Sequence, residues 1–389
     1  MSETSHSLAR SELGPVLVVS LIASLRLLGV FLVLPIFSVY GLRYPGATVA
    51  LVGVAFGIYA LAQCMFQIPL GWASDRWGRR AIVVLGLALF ALGSVACALA
   101  GDIHELIFGR ALQGSAAVGS VALAALADLT RPTVRSQAFT ITGLAVGAAF
   151  IIGTLGGPIL AAGIGLSGVF YLLAALSLLS AALAAICFPR DAGGPRQALP
   201  LRPILGHDGL RPIFTAAFVL SFVLNSFFFT YPLNWTELGL DRAELWKVYC
   251  VIFLPSALFV FPYVRYAEKR GRLRLPTLVG WLAVTAGYVA YLFGARHALM
   301  LYISGAAFFF GYSLFQPVLP AFLTQRLPPA GRGTATAVYT FFGFVGSSIG
   351  GMSAGALVRF SPSLPEILGL ALLVAWYFFG LPEPPDSSS

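Results

Sequence analysis

The stretch Gly71-Trp-Ala-Ser-Asp-Arg-Trp-Gly-Arg-Arg80 lies between two long apolar runs and decides the fold of this chain. Apolar runs of membrane length on both sides leave room only for a short turn at one membrane face. A charged turn costs little there because it lies in water. Glycines allow the backbone to approach closely where the helix before this turn ends and the helix after it begins. The residues that carry this turn are Gly71, Asp75, Arg76, Gly78, Arg79 and Arg80.

The composition excludes an ordinary soluble protein. Hydrophobic residues make up 58% of the 389 residues and charged residues 10%, with a mean hydropathy of +0.88, whereas a soluble domain carries about 25% charged residues. The net charge of +9 does not indicate nucleic acid, because the basic residues lie in short turns between apolar runs. We therefore predict an all-α membrane protein. The four cysteines lie in or beside apolar runs without metal-like spacing, so we expect free thiols and no metal or cofactor.

Twelve apolar windows are each close to the length of roughly 20 residues that crosses a bilayer. They cover about 15–40, 48–72, 81–100, 105–127, 137–163, 168–188, 213–235, 244–265, 275–294, 298–322, 333–358 and 364–381. The pattern predicts an N-terminal six-helix bundle (1–188), a central loop (189–212) and a C-terminal six-helix bundle (213–389). The last window ends eight residues before Ser389, so we expect no soluble domain after it.

Basic residues predict the orientation. Of the 24 Lys and Arg residues, 17 lie on the side of the N-terminus and 5 on the other side, while Arg26 and Arg110 lie inside predicted spans. Basic residues concentrate in cytoplasmic loops. We therefore expect both termini in the cytoplasm and the central loop on the same side.

An internal repeat supports two equivalent halves. A shift of 193 positions places Asp75 on Glu268 and Arg79 on Arg272. The same shift places Gly78 on Gly271, and it aligns the glycines of spans 5 and 11. Parallel repeats related by an axis along the membrane normal are known in transporters.

The spacing G-x-x-x-D-R-x-G-R-R of residues 71–80 resembles the signature loop of the major facilitator superfamily. This resemblance implies twelve helices in two pseudo-repeats and transport by alternating access. It also implies that Asp75, in a charge network with Asp128 and either Arg79 or Arg80, latches the outward-open state. A basic turn of this kind also occurs simply as a topology signal.

Two arginines lie inside predicted spans, where charge is expensive unless it is paired or faces a wet cavity. Arg26 is about ten residues into span 1, so it lies near 15 Å deep at 1.5 Å per residue. It either lies in the cavity, where it binds an anionic group or influences a nearby proton site, or it pairs with carbonyls freed around Pro35 or in span 5. Arg110 precedes Gln113 and Gly114, and R-x-x-Q-G resembles a second signature of the superfamily. The resemblance implies proton relay or a tie between helices 4 and 1; the alternative is a guanidinium that reaches the nearby membrane surface.

Span 5 is rich in glycine, with Gly153, Gly156 and Gly157 directly before Pro158. Small residues at spacings of three and four let membrane helices pack backbone to backbone. Their position in span 5 resembles the signature of drug:proton antiporters, which ends G-P-x-x-G-G. That resemblance implies export, although any tightly packed membrane helix has similar glycines.

No carboxylate lies near the middle of a predicted span, whereas many drug:proton antiporters carry one in the cavity. Glu105 and Glu237 are candidate proton carriers, and each is also consistent with a solvated rim residue. The superfamily lines its pathway with helices 1, 4, 7 and 10. In helices 7 and 10 the candidate cavity residues are Asn225, Phe228, Tyr231, Tyr312 and Gln316. Aromatic rings with a few amides suit a ligand of modest polarity.

These features predict a monomeric transporter that exports an amphipathic small molecule, most simply in exchange for protons. One alternative is an importer or uniporter of a small, anionic metabolite, in which Arg26 binds the substrate. Another is a receptor or lipid scramblase that kept the fold. An enzyme is not expected, since no catalytic constellation or nucleotide-binding loop is present.

Overall fold

The computed structural model describes residues 10–131, 134–188, 201–270, 274–327 and 329–384. Within these ranges it contains fourteen α-helices and one short 3₁₀ turn (Arg242–Glu244). The first seven helices are α1 (Arg10–Val33), α2 (Phe37–Gly41), α3 (Val49–Trp77), α4 (Arg79–Leu99), α5 (Ile103–Ser115), α6 (Gly119–Asp128) and α7 (Arg135–Cys187). The others are α8 (Leu201–Leu205), α9 (Arg211–Glu237), α10 (Leu245–Lys269), α11 (Arg274–Gly294), α12 (Ala298–Gln325), α13 (Pro329–Val358) and α14 (Leu364–Phe379).

Ten helices of the described residues are long and apolar enough to cross a membrane. One of them, Gln137–Cys187, has 51 residues, or roughly 75 Å at 1.5 Å per residue, more than twice the thickness of a bilayer core. Gly165 interrupts α7 with φ 69° and ψ 177°, a conformation that favours glycine, so α7 is two consecutive spans. With the shorter apolar helix α14, the described residues provide the twelve predicted crossings.

Two predicted spans contain interruptions. Pro35 lies between α1 and α2, where its missing N–H ends the helix. Span 4 is divided into α5 and α6 by the non-helical residues 116–118. The second interruption was not predicted, and it takes Ala116 out of the helical hydrogen-bond pattern, since its carbonyl oxygen accepts from the N–H of Val118 at 2.8 Å.

The chain divides into two compact units. The N-terminal unit comprises Met1–Ala47 and Ile58–Arg196; the C-terminal unit comprises Thr48–Gly57 and Gln197–Ser389. In the N-terminal unit, α1 and α4 pack on α7, and α4 also packs on α5. In the C-terminal unit, α9 packs on α13, α11 packs on α12, and α14 packs on α9 and α11.

The repeat is visible in how each unit packs. Span 5, the first half of α7, lies against α1, and span 11, which is α13, lies against α9. A Cβ at Gly157 would lie 2.2 Å from the carbonyl oxygen of Leu32, and one at Gly350 would lie 2.3 Å from that of Phe222. The glycines that a shift of 193 aligns therefore make the same backbone contact in the two halves.

Candidate functional site

The signature loop is tighter than the sequence predicts, because helix α3 continues to Trp77 and α4 begins at Arg79. Only Gly78 separates the two helices, and its φ of 89° is a conformation that favours glycine. Gly71 lies within α3, and a Cβ there would meet no described atom within 4 Å. The close approach expected at Gly71 is therefore absent, and Gly78 alone makes the turn.

Arg79 is the centre of the charge network at this turn. Its guanidinium lies 2.5 Å from Oδ1 of Asp75 and 3.4 Å from Oδ2 of Asp128, and it donates a hydrogen bond to Oγ of Ser74. The side chains of Arg79 and Asp128 are only 12% and 6% exposed, whereas that of Asp75 is 65% exposed. This Arg79 network ties the end of α3 and the start of α4 to the end of α6.

The other two arginines of the loop do not join the Arg79 network in any described contact. The guanidinium of Arg76 lies 5.3 Å from the ring centroid of Trp72. Arg80 borders a shallow surface groove together with Trp77 and Ala185. Of the two partners considered for Asp128, the structure therefore uses Arg79.

The equivalent loop of the second repeat falls largely outside the described residues. Gly271 and Arg272 lie outside them, as does the side chain of Glu268. The backbone of Glu268 belongs to the last turn of α10.

Arg26 is buried in α1, with 7% of its surface exposed. Its Nη2 donates a hydrogen bond of 3.4 Å to the carbonyl oxygen of Ala116, in the interruption between α5 and α6. The guanidinium lies 6.0 Å from the ring centroid of Phe90. Its Nε has no hydrogen-bond partner among the described residues. The carbonyl near Arg26 thus comes from the interrupted span 4, not from Pro35 or span 5.

Arg110 lies in a buried polar cluster of the N-terminal unit. It donates a hydrogen bond to Oε1 of Gln113, whose Nε2 donates to Oγ of Ser94 at 2.8 Å. Its guanidinium lies 4.4 Å from the ring centroid of Tyr59 and 5.2 Å from that of Phe37, in cation–π geometry. Only 4% of Arg110 is exposed, so the guanidinium does not reach out to the membrane surface.

The glycine-rich part of α7 lies directly on α1. Gly153 and Gly157 face the backbone of α1, where an added Cβ would lie within 3 Å of existing atoms. Gly156 faces the side chain of Leu32 at an ordinary distance of 3.6 Å. Pro158 follows within the helix and is buried. These residues bring the two helices into backbone contact.

The candidate cavity residues of α9 and α12 lie in different surroundings. Asn225 donates a hydrogen bond of 2.9 Å to Oγ of Ser347. Phe228 and Tyr231 are fully buried, and the Tyr231 hydroxyl donates to the carbonyl oxygen of Leu301 at 2.9 Å. Both rings belong to the aromatic core of the C-terminal unit. In α12, Tyr312 is half-buried and Gln316 is exposed.

A charged contact that the sequence analysis missed lies at the same end of the N-terminal unit as the Arg79 network. Glu12 in α1 accepts hydrogen bonds from Nε and Nη2 of Arg131, each at 3.0 Å, and from its backbone N–H at 3.1 Å. These hydrogen bonds raise the pKa of Arg131. The two residues are 119 positions apart, and no local sequence motif predicts their pairing.

The carboxylates that the sequence offers as proton carriers lie at exposed helix ends. Glu105 is exposed and accepts a hydrogen bond of 2.7 Å from the N–H of Gly101, and Glu237 is exposed at the end of α9.

The sequence analysis missed Glu366, although 96% of this residue is buried in the first turn of α14. The adjacent Pro365 and the acidic residue are both typical of an exposed helix start. The only available signal was a carboxylate inside the last apolar window.

Comparisons with known proteins agree with this architecture. Residues 19–249 and 213–389 match the Major Facilitator Superfamily. The inner membrane transport protein YajR of Escherichia coli (strain K12) is 35% identical, over 94% of this chain and 83% of its own length. The multidrug resistance protein MdtH of Aeromonas hydrophila is 25% identical, over 85% of this chain and 83% of its own length. A solved D-xylose-proton symporter shares the fold with a TM-score of 0.78 at 14% identity, covering 97% of this chain and 99% of its own.

Proposed function

This chain belongs to the Major Facilitator Superfamily, whose members are membrane transporters and not enzymes, and on that premise we propose that it exports amphipathic, drug-like molecules in exchange for protons. Its substrates are small molecules and its surroundings are the lipid bilayer. The relative YajR is an inner membrane protein. We place both termini of this chain in the cytoplasm, because 17 of the 24 basic residues lie on that side. The working unit is a monomer.

The observation that carries the proposal is the Arg79 network. It joins three helix ends through one guanidinium that is held by a buried and an exposed carboxylate. Alternating access needs an element that has two arrangements of similar free energy. An ion pair with one exposed partner is weak enough to break during a transport cycle. We assign the exposed Asp75 to the latch that opens and the buried Asp128 to the anchor that stays with Arg79.

The direction of transport rests on two further observations. The glycine-rich half of α7 packs its backbone against α1, in the span where drug:proton antiporters carry their signature. MdtH, a multidrug resistance protein, is similar over 85% of this chain. Both support export of apolar molecules over uptake of a nutrient.

One observation favours a second candidate function, uptake or facilitated passage of a small organic anion. Arg26 is buried, its one described hydrogen bond is long at 3.4 Å, and its Nε has no partner among the described residues. A guanidinium with unused donors in such a place suits a carboxylate ligand. In this alternative, Arg26 binds the substrate and no proton moves.

The experiment that separates the two functions uses purified protein in liposomes with an imposed pH gradient. Ethidium, a neutral dye and benzoate are added in turn, and internal pH and compound movement are recorded together. Ethidium movement that discharges the gradient supports proton-coupled export. Benzoate movement without proton flux would replace export by anion passage. Empty liposomes and the Asp75→Asn variant serve as controls, and the variant should retain binding while its transport slows.

A further inference from the structure

Glu366 is a buried carboxyl group inside the C-terminal unit. It lies in the first turn of α14, which packs against α9 and α11, and only 4% of its surface is exposed. Neither Oε1 nor Oε2 has a hydrogen-bond partner among the described residues. A carboxylate in apolar surroundings is costly unless it is paired or hydrogen-bonded. Packing alone therefore does not explain why a carboxyl group lies at this buried position.

The neighbouring hydroxyl groups direct their hydrogens elsewhere. Thr230 of α9 lies beside the carboxyl, but its Oγ1 donates to the carbonyl oxygen of Ser226 at 3.2 Å. Tyr291 of α11 donates to Oγ1 of Thr230 at 3.0 Å. Tyr288 of α11 donates to the carbonyl oxygen of Val223 at 2.8 Å. The hydroxyl groups around Glu366 thus all have acceptors other than its carboxyl oxygens.

This arrangement suits a protonated carboxyl. A carboxylate only accepts hydrogen bonds, whereas a carboxylic acid can also donate one. Oγ1 of Thr230 is an acceptor beside Glu366 that a carboxylic acid could use. The titratable side chains that face Glu366 from the packed helices are Tyr288 and Tyr291; no Lys, Arg, His or Asp in the described part of the chain interacts with it.

The same surroundings also allow release of the proton. Glu366 lies at the start of α14, where the helix dipole and the first peptide N–H groups favour negative charge. Asn234, which is half-buried three residues before the end of α9, donates to the Tyr291 hydroxyl at 2.9 Å. Asn234, Tyr291 and Thr230 thus form a polar chain from near the end of α9 to the carboxyl. The buried group lies about 10 Å along α9 from that end, since Thr230 precedes Glu237 by seven residues.

We propose that Glu366 is the group that takes up and releases the coupling proton of this transporter. The proposal rests on the proposed function, and it places the proton site in the C-terminal unit, between α9, α11 and α14. Binding of the proton neutralises the buried carboxylate, and its release leaves a charge that the start of α14 stabilises. Gly369, one turn further along α14, gives Tyr288 room beside this site, because a Cβ there would lie 2.4 Å from Cε1 of that ring.

The test begins with proton binding, which needs no transported substrate. Infrared difference spectra of the full chain in lipid vesicles are recorded during pH titration. The wild type should show the C=O band of a protonated carboxyl that disappears as pH rises. The band should be lost in Glu366→Gln and retained in Glu237→Gln, which alters an exposed carboxylate on a helix that lines the same site. Glu366→Asp keeps the acid and should shift the band, so it replaces the Gln variant if that protein does not fold.

The second measurement is ethidium-driven proton flux in proteoliposomes. Glu366→Gln should exchange ethidium across the membrane while its proton flux falls to that of empty liposomes, and Glu237→Gln should behave like the wild type. A titrating band or a proton flux that is unchanged in Glu366→Gln would overturn the assignment and leave proton-coupled export intact. A wild type that moves ethidium without protons would instead overturn the proposed coupling, and with it the carrier role of Glu366.

Discussion

The backbone of Gly157 in α7 meets the carbonyl oxygen of Leu32 in α1 so closely that a Cβ would lie 2.2 Å from that oxygen. The equivalent contact in the other unit is that of Gly350 with Phe222, at 2.3 Å. Membrane helices gain little from the hydrophobic effect inside a bilayer and depend on close packing instead. Each unit therefore contains a close glycine contact of the same kind.

Replacing either glycine by alanine should destabilise the protein. Because the clash is with backbone, the two helices must separate, and overpacking of this kind costs about 1–3 kcal/mol. We expect lower melting temperatures for Gly157→Ala and Gly350→Ala in detergent. Gly143→Ala is the control, since a Cβ at Gly143 would meet no described atom within 4 Å. Equal melting temperatures for Gly157→Ala and Gly143→Ala would contradict this packing.

The two carboxylates that hold Arg79 should give different phenotypes. Asp128 is 6% exposed, so Asp128→Asn should lower the free energy of unfolding by about 1–3 kcal/mol, the cost of a buried group that loses a charged partner. Asp75 is 65% exposed, and Asp75→Asn should change stability by less than about 1 kcal/mol. It should nevertheless slow transport while substrate affinity stays within a few-fold.

Thermal unfolding and initial transport rates measure these two effects separately. Asp208→Asn is the control, because Asp208 forms an exposed pair with Arg211 at 2.9 Å. Unchanged turnover of Asp75→Asn would remove its role as a latch. Equal stability of Asp128→Asn and Asp75→Asn would mean that burial does not distinguish the two carboxylates.

The twelve spans could be predicted because length and hydropathy alone define membrane helices. Basic turns, the signature loop and the repeat at an offset of 193 are also properties of the sequence alone. The interruption at 116–118 could not be predicted, since its small apolar residues fit a continuous helix equally well. The sequence also could not predict which side of a helix faces the core. Phe228 and Tyr231 were expected in a cavity and lie fully inside an aromatic core.

The candidate site was predictable only where contacts are local. Asp75 and Arg79 are only four residues apart, on either side of the turn at Gly78, so their pairing follows from their closeness in the sequence. Glu12 and Arg131 are paired across 119 residues, and Glu366 becomes buried because distant residues of α9 and α11 cover the start of α14. Such tertiary contacts leave no local trace in a single sequence.

Glu12→Gln should lower the melting temperature, because it removes the negative charge of Glu12 from its bidentate pair with Arg131. Arg131→Lys should also lower it, since an ammonium cannot reproduce the paired N–H groups of arginine. Glu383→Gln, which alters an exposed pair with Arg274, should have a smaller effect. A melting temperature of Glu12→Gln equal to that of Glu383→Gln would contradict a structural role for the pair.

The contribution of the Glu12–Arg131 pair should not change between neutral and mildly alkaline pH. Glu12 raises the pKa of Arg131 through its hydrogen bonds. A base with a raised pKa in the folded state contributes its full stabilisation below the unfolded pKa and loses it only when pH rises through the folded value. Arginine titrates far above neutrality. The difference in melting temperature between wild type and Glu12→Gln should therefore be the same at about pH 7 and pH 9; a difference that shrinks would show that another group titrates with the pair.

Arg26→Ala should abolish transport, and Arg26→Lys should restore it only in part. The guanidinium has a single long hydrogen bond, to Ala116, and an Nε without a described partner. The described fold therefore does not use all of its hydrogen-bond donors. Lysine keeps the charge but lacks the planar array of donors, so it should replace arginine only in part. Arg43→Ala is the matched control, because Arg43 is an exposed arginine just after α2. Transport rates should be read with melting temperatures: a stable Arg26→Ala variant without transport assigns Arg26 to the pathway. Full activity would leave it only the role of holding the interrupted span 4 against α1.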